Sequence, residues 1–167
     1  MSTVAVPLPR QERSAASRVA LAGAVVALLD ISWAYLLWGV ILKKVTVMSL
    51  FQSVAAGLLG RASFQGGVRT AALGALCHVV IAFGWTIGFY LTVRAIPALR
   101  RTMRTTTGAV VAGLAMGVVV YLGMQMVVLP LSRARPATFG NFMYWLNLAQ
   151  HMVMIGLPMA LIIRDGE

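Results

Sequence analysis

Acidic side chains are nearly missing from this 167-residue chain: four Asp and Glu stand against 14 Lys and Arg. Charge of either sign is scarce, at 11% of residues, while hydrophobic residues make up 60%. Soluble domains carry about 25% charge and about 45–50% apolar residues, so this balance excludes an ordinary water-soluble globule. Cysteine is limited to Cys77, inside an apolar run, which rules out a disulfide framework and a Cys-based metal motif. No phosphate-binding glycine loop, dinucleotide fingerprint or metalloprotease helix occurs, and no Ser–His pair has a nucleophile elbow around it. Little here speaks for an enzyme.

What is present is a set of long apolar runs with almost no charge. Residues 19–42, 68–93, 107–129 and 141–163 contain no Lys or Arg apart from Arg69 near the start of the second. At about 1.5 Å per helical residue, each is long enough to cross a hydrocarbon layer of about 30 Å. Lys43 and Lys44 close the first, with Trp38 placed as an interfacial anchor. Residues 46–60 differ, because a helix of about 22 Å is too short to span unaided. On a helical wheel its Ser49, Gln52, Ser53, Ala56 and Gly57 share one face, and Val47, Met48, Phe51, Leu58 and Leu59 take the other. That pattern predicts an amphipathic, re-entrant or interfacial helix packed against the bundle. Residues 1–18 read as a disordered basic leader, and the run after them is too long for a signal peptide. The expected fold is an all-α integral membrane protein: a four-transmembrane-helix bundle forming a single domain, 19–167, with the short helix between the first and second spans.

The net charge of +10 sits at the ends of apolar runs. There the lipid bilayer and its anionic headgroups are the simpler partner, and nucleic acid is not. The leader, the 94–104 connector and Arg164 place eight Lys/Arg on the side of the termini, against six on the other side. By the positive-inside rule this favours cytoplasmic N- and C-termini.

Three ionisable residues interrupt the spans: Asp30, His78 and His151. Counted from the non-terminal side, they lie at depths of roughly 18, 15 and 15 Å, on three different helices. A carboxylate at mid-bilayer costs roughly 2.5–3.5 kcal/mol on insertion scales, so Asp30 is expected to face the bundle or a wet cavity. Gln52, Gln125, Tyr144 and Asn147 are the supporting polar groups, Gln125 as a cap near a loop and Tyr144 and Asn147 as a stripe beside His151. The mid-depth trio supports several readings. It is mutual hydrogen-bonding glue, or a proton or ion relay, or a cofactor site: two axial ligands to a haem, or two His and one carboxylate on a metal ion. Gly84 with Gly88, and Gly113 with Gly117, offer small-residue faces for pairing within the chain or between copies in a homo-oligomer.

From the second span onward the landmarks run His78-Val79-Val80-Ile81, Gly88-Phe89-Tyr90, Arg94, Pro97, Gly113-Leu114, Gln125 before Pro130-Leu131, and Trp145 through His151. This order resembles that of YagU-like proteins, small bacterial inner-membrane proteins. The resemblance implies a bacterial inner-membrane location and a link to acid resistance. It supplies no reaction and no established site.

Overall fold

The computed structural model describes residues 14–134 and 137–164. Four of its helices are long and apolar enough to cross a membrane: α1 (Ala15–Ile41), α3 (Gly67–Ala95), α5 (Thr106–Val128) and α6 (Phe142–Ile163). Two short helices join them, α2 (Val47–Leu59) and α4 (Pro97–Thr102). No strand occurs among the described residues. The architecture is the all-α four-span bundle that the uncharged runs imply.

Local chemistry sets the helix ends. The Ser14 hydroxyl accepts the Ser17 amide at 3.2 Å and caps α1. Ala15 and Ala16 follow, the strongest of helix formers. The expected leader is therefore shortened, since Ala15 to Arg18 already belong to α1. The rest of that leader, 1–13, lies outside the described residues, as do Asp165 and Glu167. At the far end of α1 the chain turns through Lys43 at φ 52°. The Lys44 ammonium there lies 5.7 Å from the Trp38 ring centre, a cation–π contact at the helix end. Thr46 and Ser49 then exchange side-chain-to-backbone bonds as a capping box, which starts α2. With 13 residues, about 20 Å, α2 does not cross. Gln52 from its polar side is buried, as is Ser63 in the turn after it, and Val47, Met48, Leu58 and Leu59 are exposed.

Three stretches widen into π turns: Leu36–Ile41, Met124–Val128 and His151–Gly156. In two of them a proline follows closely, Pro130 and Pro158. Proline lacks an N–H and its ring crowds the preceding turn, and a wider turn accommodates both defects. The Leu129 amide, for example, reaches back to the Met124 carbonyl at 2.9 Å.

Glycine brings helices together where backbones must touch. Gly113 and Gly117 of α5 pack on Gly156 and on the backbone of His151 and Met152 in α6. This face is filled from within the same chain, whereas a Cβ added at Gly84 or Gly88 would meet nothing within 4 Å. Gly74 of α3 lies against the Phe51 carbonyl of α2. Helix α1 contacts both α3 and α6, and α6 contacts α5. Helices α3 and α5 meet instead through the Trp85 side chain, which rests on Gly123 and donates to the Met124 sulfur at 3.4 Å.

These contacts fix the sign of two glycine substitutions. Gly74→Ala puts a methyl into the Phe51 carbonyl and is expected to destabilise by about 1–3 kcal/mol. Gly84→Ala meets nothing within 4 Å. It relieves helix-interior glycine and is expected to stabilise by up to about 1 kcal/mol. Thermal unfolding of the two detergent-solubilised variants checks this, and equal melting temperatures would contradict the α2–α3 contact.

Candidate functional site: a polar cavity inside the bundle

The site is built around the one carboxylate the structure holds among its described residues. Asp30 of α1 receives a hydrogen bond on Oδ1 from the Gln150 side-chain amide of α6, at 3.1 Å. Its other oxygen, Oδ2, lies 3.9 Å from Nδ1 of His78 on α3. His78 is fixed from its far side, where Nε2 stands 2.9 Å from the Ala27 carbonyl of α1. A carbonyl can only accept, so Nε2 carries a hydrogen. The remaining nitrogen, Nδ1, then has two states. With a proton it faces the Asp30 carboxylate as a partner; without one it sets a lone pair against negative charge.

His151 of α6 enters the same region from another side. Its Nδ1 donates to the Asn147 carbonyl one turn earlier at 2.8 Å, which leaves Nε2 as the exchangeable nitrogen. The ring meets Tyr121 of α5 edge-on, with centroids 5.0 Å apart. Asp30, His78 and His151 line one cavity of about 180 Å³, walled otherwise by apolar side chains and Trp85. At about 30 Å³ of liquid per molecule, this volume holds several waters. Val54, Ile81 and Met124 line both this cavity and a larger apolar groove of about 730 Å³ on the outside of the bundle. Those three side chains are the partition between them.

The supporting residues take other posts. Gln52 ties α2 to the start of α3, donating to the Gly67 carbonyl at 3.0 Å and the Thr70 hydroxyl at 3.3 Å. Gln125 accepts the Ala137 amide at 2.7 Å and pins the loop after α5. Tyr144 is buried in an aromatic group with Tyr121, Phe139 and Trp145. Asn147 contributes its backbone carbonyl to His151. None of the four is hydrogen-bonded to Asp30 or His78. The residue that is, Gln150, adjoins His151 in sequence, and its signal was simply an amide inside an apolar span. Its direction depends on how α6 is rotated, which spacing alone does not determine.

The residues do not fit a haem or a metal ion. Both nitrogens of His78 are directed at protein groups. The cavity falls below the roughly 300–1,000 Å³ of ordinary ligand and cofactor pockets. Among the described residues, no three His, Cys, Asp or Glu side chains group as metal ligands.

Fold and site define the class: a multi-pass, all-α membrane bundle with a partnered carboxylate and two histidines around an internal cavity. Comparison with protein-family models, with curated proteins and with solved structures finds no match for this chain.

Pairwise coupling reports this geometry directly. In double-mutant cycles, Asp30→Asn combined with His78→Leu, or with Gln150→Leu, is expected to show a coupling of about 0.5–3 kcal/mol, as groups in one network do. The cycle of Asp30→Asn with Gln125→Leu should be additive within about 0.5 kcal/mol. Equal coupling in all three cycles would mean that the side chains do not meet as described.

Proposed function

We propose that the chain is a proton-responsive component of the bacterial inner membrane, with both termini cytoplasmic. The Asp30–His78 pair is its proton-holding element, and His151 is a second acceptor across the cavity. One observation carries this reading. The Ala27 carbonyl commits His78 Nε2 to a hydrogen, so Nδ1 and the facing carboxylate are held together best when one further proton lies between them.

Losing that proton turns attraction into repulsion inside a medium that screens charge poorly. The pair joins α1 to α3, so its protonation biases how these two helices sit against each other. The cavity supplies room for the waters through which a proton enters. The excess of Lys/Arg on the terminal side supports the orientation. The likeness to YagU-like proteins points toward acid stress as the setting.

A second reading draws on the Gln150 bond, which satisfies Asp30 without any proton transfer. In that case the polar residues are packing glue in a structural or partner-binding subunit. The two readings separate in proteoliposomes carrying an internal pH dye. Between pH 5.5 and 7.5 the wild type is expected to dissipate an imposed gradient, and Asp30→Asn to do so at least about tenfold more slowly, the scale of losing a positioned acid–base group. Identical traces discard the proton reading. The glue reading expects His78→Leu and His151→Leu to lower the melting temperature and to change any cellular phenotype only in proportion to protein amount.

A further inference from the structure

The arginines at the terminal end of the bundle are not scattered. Arg94 closes α3, Arg100 lies on α4, Arg104 follows it, and Arg164 follows α6; all four line one small cleft. Its floor is apolar and closed, formed by buried Val93, Met103 and Ile163. No carboxylate among the described residues reaches Arg94, Arg100 or Arg104, because the only one present, Asp30, is engaged with His78 and Gln150. Arg164 is held in place by donating to the Thr106 hydroxyl at 2.7 Å. Guanidinium groups brought together repel one another, so a multidentate oxyanion is a complement of this cleft.

An apolar groove begins beside it. Because α3 and α5 meet mainly through Trp85, a channel of about 400 Å³ is left between them. Leu99 and Thr92 stand at its upper end, next to the arginines, and Trp85 at its lower end. Gly88, Ala112 and Ala115 keep its walls thin. From residue 92 to residue 85 the helix descends about 10 Å, the direction in which an acyl chain leaves a headgroup.

We propose that this end of the protein binds one anionic phospholipid. Its phosphate is chelated by Arg94, Arg100 and Arg104, with Arg164 behind them, and one acyl chain lies in the α3–α5 groove. The juxtaposition is what selects a lipid over free phosphate. The cations match a phosphodiester, and the adjoining groove has a use only if the anion carries a tail. Helix α4 serves as the clamp: Pro97 starts it, Leu99 turns inward onto the core, and Arg100 is left at the interface.

The test uses full-length protein reconstituted in nanodiscs with equal phosphatidylglycerol and phosphatidylcholine, then released for native mass spectrometry. Wild type is expected to retain phosphatidylglycerol in preference. Each near-surface arginine contributes about a fivefold factor to anionic-lipid affinity, so Arg100→Gln and Arg104→Gln together should abolish the preference. Arg133→Gln, at the opposite end, should leave it intact. Gly88→Leu, which fills the groove, should weaken retention of diacyl phosphatidylglycerol without altering the melting temperature downward. Retention unchanged in the double arginine variant, or displacement of the lipid by millimolar inorganic phosphate alone, would overturn the proposal.

Discussion

A carboxylate in the middle of a bilayer-length helix has nowhere to go but inward, and the bundle is arranged to receive it. Water is not available along the acyl chains to solvate Asp30, so its two oxygens must turn to donors within the bundle or to its cavity. Gln150 supplies one from α6, and His78 approaches the other from α3. One side chain thus bonds α1 to α6 and faces α3. Lipid offers apolar residues no advantage for burial, so such contacts and close backbone packing must hold spans together. The glycines of α5 and α6 supply the second kind of contact where no polar group is available.

These two kinds of contact divide the bundle unevenly. On the α1 side, helices meet through polar pairs and leave a cavity between them. On the α5–α6 side, Gly113, Gly117 and Gly156 bring backbones into contact. Between α3 and α5 the backbones stay apart and side chains bridge the gap, Trp85 among them. The cavity, the outer groove and the α3–α5 channel all border this weakly closed seam. Such a seam is where helices can shift with least loss of contact, and the π turn at Met124 lies on α5 beside it.

The sequence made some of this legible and concealed the rest for physical reasons. Uncharged runs identify spans because hydrocarbon tolerates nothing else, and so the four crossings were readable from Lys43, Arg94, Pro130 and Arg164. The short helix was readable from its length. The start of α1 was not, since Ser14-Ala15-Ala16 resembles a leader until the capping bond is seen. Counting residues gives Asp30, His78 and His151 a common depth, but depth says nothing of azimuth. Azimuth decides that Gln150 reaches Asp30, that Tyr144 stacks with aromatics, and that Gln52 and Gln125 serve as fasteners for α3 and a loop. The π turn at His151 adds to the difficulty, because beyond it a 3.6-residue wheel no longer assigns faces correctly.

Charge is partitioned as sharply as packing. Of four carboxylates, the one inside the spans faces Gln150 and His78, leaving three for fourteen Lys and Arg outside them. Those cations must draw their counter-charge from the surroundings, and at the ends of membrane helices the nearest reservoir is lipid phosphate. Inside, by contrast, the ionisable side chains lining the cavity are the two histidines and the carboxylate beside them. Charge placed between α1 and α3 is screened less than charge at the interface, where the screening length is about 10 Å. The same scarcity of acid therefore leaves Asp30, with Gln150 and His78 around it, as the acidic junction inside the bundle, and makes the arginines at the helix ends depend on their surroundings for counter-charge.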